Sequence, residues 1–173
     1  MNYIGSKLSL IPFIRAAVED CVGIDLSDRV FCDLFAGTGV VGRSFKSRVR
    51  KVISNDWEYY SYVLNRNYIG NNIALDSQDE LVRELNEMAG VEGGFIFQNY
   101  CYGSGSGRQY FSDENGKKID AIRIQIERWK NNDYISEDMY FFLLATLLES
   151  ADKLANTASV YGAFLKHLKA AAQ

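Results

Sequence analysis

The residues of this chain best placed to do chemistry lie in Phe31-Cys32-Asp33-Leu34-Phe35-Ala36-Gly37-Thr38-Gly39-Val40-Val41-Gly42. This stretch sets GxGxxG at the end of a predicted strand and the start of a predicted helix. Glycines there let the backbone turn tightly and approach a ligand, while the first N–H groups of the helix are free to donate. Asp56 follows Gly37 by 19 residues, at the end of a second short apolar run, near the spacing of a ribose-binding acid. Two cofactor classes fit this layout, a dinucleotide and S-adenosylmethionine. Asp33 helps to separate them, because a carboxylate just before the glycines repels a pyrophosphate. The sulfonium cofactor carries an amino group and no phosphate. A loop-capping aspartate on a nucleotide-free domain is the plain structural alternative.

The elements that must position these residues can be read along the chain. Leu8, Ile11, Ile14 and Val18 have helical spacing, with Pro12 tolerable in the first turn, so an amphipathic helix is expected over 8–22. VFCDLF then reads as a buried strand, GVVGRSFKSR as a helix, KVISND as a second strand and WEYYSYVLNRNYIGNN as a further helix. Strand, glycine turn, helix, strand, helix is a βαβα opening and argues for a parallel, doubly wound sheet. Beyond it, Leu81, Val82, Leu85 and Met88 mark the apolar side of a helix. The glycine-rich segment Gly93 to Gly107 reads as an irregular loop, mobile or ordered by a partner. IDAIRIQIERWKNN, ISEDMYFFLLATLLESADKLAN and VYGAFLKHLKAAAQ are expected to be helices, the middle one capped by Ser136.

Composition sets the bounds. With 173 residues, 47% hydrophobic and 24% charged, the chain is long enough for an ordinary globular domain and excludes disorder and small disulfide scaffolds. A net charge of −3 gives no global pull towards nucleic acid, so a polyanionic partner must be met by local basic patches. One candidate holds Arg43, Lys46, Arg48, Arg50 and Lys51 with no acid among them. It reads equally as a solvated helix face and loop. Cys21, Cys32 and Cys101 are far apart and in no CxxC spacing; they read as reduced core thiols rather than a disulfide framework or a zinc site. The longest strongly apolar run, Met139 to Leu148, is about half of what crosses a bilayer, so a soluble, cytoplasmic protein without a membrane partner is expected. The single histidine, His167, has no evident nucleophile beside it, which argues against a serine or cysteine hydrolase. An average chain of this length would hold roughly nine prolines; this one holds Pro12 alone.

Several further motifs fall in a known order. Asn2-Tyr3-Ile4-Gly5-Ser6-Lys7 is similar to a Y-x-G-x-K cofactor motif, Asp33 to Gly39 (DLFAGTG) to a central cofactor motif, and Ser54-Asn55-Asp56 to the acidic end of a second strand. Arg108 to Gly116, Ile119 to Arg123, Ala155-Asn156-Thr157 and Tyr161 to Lys166 extend the likeness over the whole chain. Together they resemble the adenine-specific, Dam-like DNA methyltransferases of the alpha arrangement. The resemblance implies an α/β, Rossmann-like S-adenosylmethionine-dependent methyltransferase fold, here as an incomplete parallel sheet with a helical target-recognition insertion. It implies a cofactor-binding part over 1–93, a DNA target-recognition region over 94–156, and a helix over 157–173 returning towards the catalytic half. Tyr3, Gly5 and Lys7 would form the pocket wall beside the methionine end, Asp33, Phe35, Gly37 and Gly39 would line it, and Asp56 would take the ribose hydroxyls. Arg108, Tyr110, Lys117, Lys118 and Arg123 would face double-stranded DNA. No metal is implied.

An amino-methylating enzyme of this kind also carries [DN]-P-P-[YFW], whose polar groups hold the adenine amine while its aromatic stacks on the flipped base. With Pro12 the only proline, that motif is absent. The expectation is therefore an N-terminal portion of such an enzyme, inactive alone and completed by a C-terminal half or second chain, with three strands or fewer and an open sheet edge. The alternative is a non-catalytic cofactor- or DNA-binding partner subunit.

Overall fold

In a computed structural model of the chain, which describes residues 5–158 and 162–172, the two apolar runs become parallel strands, β1 (Val30–Asp33) and β2 (Lys51–Ser54). Their register is Val30↔Lys51, Phe31↔Val52, Cys32↔Ile53 and Asp33↔Ser54. Side chains alternate along a strand, so Phe31 and Val52 turn inward while Val30, Cys32 and Ile53 are exposed. Two strands are present among the described residues, within the expected limit of three.

The chain divides into two compact units, one of residues 5–73 and one that begins at Ala74. In the first, α1 (Ile11–Val22) carries Pro12 in its opening turn and stops at Gly23, whose φ of +88° few other residues adopt. Ile11, Ile14 and Val18 pack on a small core of Leu26, Val41 and Phe45, where Phe31 stacks on Phe45 at 4.2 Å between ring centres. α2 (Val40–Phe45) lies close on the sheet because residue 42 has no side chain; a Cβ there would stand 3.2 Å from Val52 Cγ1 and 2.8 Å from Ile69 Cδ1. α3 (Tyr59–Asn65) runs on into a π-helical turn, Arg66–Gly70.

The second unit is helical: α4 (Gln78–Glu87), α5 (Phe95–Tyr100), α6 (Asp113–Asn131) and α7 (Glu137–Leu154). Ser112 and Ser136 cap the two long helices by accepting from Asn115 N–H (3.3 Å) and Met139 N–H (3.2 Å). Leu81 and Leu85 of α4 are buried, as their spacing predicts. No helix among the described residues is long and apolar enough to cross a membrane.

Four expectations are corrected. VFCDLF is not a buried strand: Val30, Cys32, Leu34 and Phe35 are exposed. The glycine-rich segment contains a helix, α5, held from outside: the buried Asp120 carboxylate of α6 accepts from Ile96 N–H (2.9 Å) and Phe97 N–H (2.8 Å). Residues 162–172 form no α-helix. They run past Asn156, whose side chain donates to Gln109 O (3.0 Å) and Leu165 O (2.9 Å) and accepts from Lys169 N–H (3.1 Å), and they end in a 3₁₀ turn, Ala170–Ala172. Cys21 and Cys32 are exposed; Cys101 is the buried thiol.

Candidate functional site

The glycine turn is built from the ends of both strands. Asn55 N–H donates to Asp33 O (2.8 Å), Ala36 N–H to Asn55 O (2.9 Å), and Asn55 Nδ2 to Leu34 O (3.0 Å). The chain then reverses through Gly37 (φ +54°) and Gly39 (φ +77°), both left-handed, and α2 starts. Gly37 N–H donates to Asp56 Oδ2 at 2.8 Å, while its carbonyl accepts from Ser61 Oγ and from Asn65 Nδ2 (3.1 Å). Asp56 Oδ1 accepts from Glu58 N–H at 3.2 Å, and Asp33 Oδ1 from Phe35 N–H at 3.3 Å.

These contacts tune the Asp56 carboxyl. The Gly37 N–H holds its pKa below the ordinary aspartate range against the opposing effect of partial burial, helped by the Glu58 and Trp57 N–H groups and by the charge of Lys7. Residues far apart in the chain, Lys7, Gly37 and Asp56, thus act on one another, with Asp33 and Gly39 in the same turn. Gly5 (φ +81°) offers its carbonyl to Lys7 Nζ at 3.4 Å. Tyr3 lies outside the described residues. A small cavity of about 120 Å³ lies at the end of β2, lined by Ser54, Asn55, Asp56, Ser61, Tyr62 and Asn65.

Two aromatics stand out into solvent around this turn, Phe35 at 81% and Trp57 at 96% exposure. Trp57 was not among the residues singled out from sequence; the available signal was an indole directly after the strand-ending acid. Two carboxylates, glycines that permit close approach and unpacked flat aromatics suit a ligand with hydroxyl and amino donors and a planar ring. They do not suit a pyrophosphate.

The basic residues are placed less uniformly. In the first unit Arg43 lies over the Tyr68 ring (4.3 Å), Lys46 Nζ donates to Tyr68 O (3.2 Å) and Asn71 O (2.6 Å), and Arg48 pairs with Glu19; Arg50 and Lys51 are exposed. In the helical unit Lys117 pairs with Glu92 at 2.8 Å, Lys118 Nζ donates to Asn86 O (2.8 Å) and Met88 O beyond the end of α4, and Arg123 pairs with Glu127 one helical turn on. Tyr110 packs edge-on against Tyr100 and Phe164. Arg108 is exposed on the loop after α5, its guanidinium 5.8 Å from the Tyr100 ring centre and 3.4 Å from Asn99 O.

Known proteins match this chain over nearly its whole length. Type II methyltransferase M.NlaIII of Neisseria lactamica is 66% identical over 172 residues, which cover 99% of this chain and 51% of that protein. Type II methyltransferase M.CviAII of Paramecium bursaria Chlorella virus 1 is 38% identical, covering 98% of this chain and 50% of its own length. For type II methyltransferase M.FokI of Planomicrobium okeanokoites the figures are 38%, 96% and 27%. The chain therefore spans about half, or less, of the length of these curated relatives. No solved structure matches it. The family model for D12 class N6 adenine-specific DNA methyltransferases matches residues 3–173, and the chain belongs to that family.

Proposed function

We propose that this chain is the cofactor-binding portion of a DNA adenine N6-methyltransferase of the restriction-modification type, acting on double-stranded DNA in the cytoplasm. The observation that carries the reading is the Gly37–Asp56 pair: a left-handed glycine whose N–H is fixed by an acid at the neighbouring strand end, with a second carboxylate, Asp33, in the same turn. S-Adenosylmethionine would supply a methyl group activated on a sulfonium. Asp56, kept ionised, accepts from ribose hydroxyls. Asp33 accepts from amino donors, Gly5, Gly37 and Gly39 permit close approach, and Lys7 and Tyr3 contribute to the wall at the methionine end. Phe35 and Trp57 offer apolar cover to the adenine and the body of the cofactor, and the surrounding element order is Rossmann-like.

Residues 1–93 serve as the cofactor part, 94–156 as the target-recognition region and 157–173 as the return towards the catalytic half. Arg108, Tyr110, Lys117, Lys118 and Arg123 are the DNA-facing set, with Arg108 the most accessible of them. The groups that hold the flipped adenine come from outside these 173 residues, since a chain whose only proline is Pro12 has no adjacent proline pair. The chain alone is then inactive. That same proline count favours, as the second reading, a non-catalytic cofactor- or DNA-binding partner subunit.

Titration calorimetry of the 173-residue chain with S-adenosylmethionine tests the cofactor reading, with NADH as the competing ligand. Micromolar S-adenosylmethionine binding lost in Asp56→Asn supports it; NADH binding without S-adenosylmethionine binding sinks it. Mixing the chain with a C-terminal half that carries the missing motif, and following labelled methyl transfer to duplex DNA, separates a split enzyme from a partner subunit.

A further inference from the structure

Ser61 and Asn65 sit one helical turn apart on α3, in a helix whose neighbouring Val63 and Leu64 are each 1% exposed. Ser61 is fully buried and Asn65 8% exposed. Burying a hydroxyl and an amide among apolar side chains is unfavourable unless both find partners, and both direct a donor at one atom, the carbonyl oxygen of Gly37. Asn65 Nδ2 also reaches Ser61 O at 2.8 Å, which fixes the amide on its own helix. The other side of the Gly37 residue is taken by Asp56, so this left-handed glycine is held at its N–H and at its carbonyl by two different elements. Asn65 also constrains the next glycine: its Oδ1, buried and without a hydrogen-bond partner, lies 2.7 Å from where a Cβ on Gly39 would stand.

We propose that Ser61 and Asn65 are positioning residues that clamp the Gly37 carbonyl and hold the glycine turn in the shape its ligand requires. The proposal rests on the cofactor reading of that turn, and touches no reacting atom. A hydroxyl and an amide neither titrate nor carry charge, so the clamp is independent of pH where Asp56 is not. It also gives a reason for the two buried polar side chains that α3 directs at the Gly37 carbonyl.

The test uses the 173-residue chain with Ser61→Ala, Asn65→Ala, both together, and the conservative Ser61→Thr, each checked for native melting. Amide hydrogen exchange read by NMR at Gly37 and Gly39 reports the turn without any ligand, and calorimetry with S-adenosylmethionine reports binding. Losing one such bond corresponds to about 1 kcal/mol, or about five-fold. Exchange at both glycines should therefore quicken about five-fold in Ser61→Ala and more in the double variant. The β1–β2 ladder amides should keep their rates, affinity should fall in step, and Ser61→Thr should restore both. Unchanged exchange in the double variant overturns the clamp, as does unchanged affinity when exchange has quickened. Failure of the unsubstituted chain to bind S-adenosylmethionine while exchange responds as expected overturns the cofactor reading and leaves the clamp standing.

Discussion

Residues 5–73 and the helical unit that begins at Ala74 achieve their order by different means. The first has a small core cluster, Leu26, Val41 and Phe45, with Ala36, Val63 and Leu64 also buried, and leaves Phe13, Ile24, Phe35 and Trp57 largely exposed. Its most sharply defined feature, the glycine turn, is held at the backbone of one residue, Gly37, whose N–H donates to Asp56 and whose carbonyl accepts from Ser61 and Asn65. The second unit is defined by volume: Ile126, Leu143, Ala145 and Cys101 are at most 2% exposed, and α6 and α7 pack against each other. A small core with a few directed bonds can fix a loop to receive a ligand, whereas a larger close-packed core fixes helices but tolerates little change in side-chain size.

The largest expected effect breaks the first unit. Phe45→Ala removes the centre of its core and the stack on Phe31, and should cost about 3–5 kcal/mol. Hydrogen exchange should show protection lost at 30–54 and retained at 113–154; equal loss in both would show that the units do not differ in this way. Overpacking probes the second unit. A Cβ at Gly116 would stand 2.2 Å from Cys101 Sγ, so Gly116→Ala should destabilise by about 1–3 kcal/mol. Urea denaturation of Gly116→Ala combined with Cys101→Gly should recover most of that loss if side-chain volume is the cause.

Acid should separate the units again, with a smaller effect. Asp56 has its folded pKa depressed, so its contribution is complete above the ordinary aspartate range and is lost as pH falls through the lower folded value. Below about pH 4 the first unit should therefore weaken, and Asp56→Asn should flatten that part of its pH-stability curve. The smallest effect belongs to the Lys117–Glu92 pair, where Glu92 is 82% exposed and Lys117 27%. Glu92→Gln should leave the urea midpoint of the helical unit almost unchanged, and salt should erase what difference there is.

What the sequence disclosed follows the same division. The strands, the turn and Asp56 were legible because short apolar runs, glycines and a strand-ending acid are local signals. α5 was hidden because the group that caps it, Asp120, lies 24 residues after Ile96 and on another helix. Residues 162–172 imitate a helix through the spacing of Leu165 and Leu168, but the long-range bonds of Asn156 direct them otherwise. The same holds for Lys117 and Lys118, which meet an acid 25 and carbonyls 32 and 30 residues earlier in the chain. Ser61 and Asn65 gave no signal of their own, since a serine and an asparagine four apart on a helix are ordinary until the carbonyl they share is known.

The three thiols turn this contrast into a clock. Cys21 and Cys32 face solvent in the first unit, while Cys101 is enclosed in the second, its pKa pushed up to about 11 by burial and by the charges of Asp113 and Asp120. Only the thiolate alkylates at a useful rate, so a maleimide reagent should modify Cys21 and Cys32 quickly and leave Cys101 untouched until the helices part. In a Cys21→Ser/Cys32→Ser chain, the labelling half-time at Cys101 then measures how often the helical unit opens under native conditions, without denaturant.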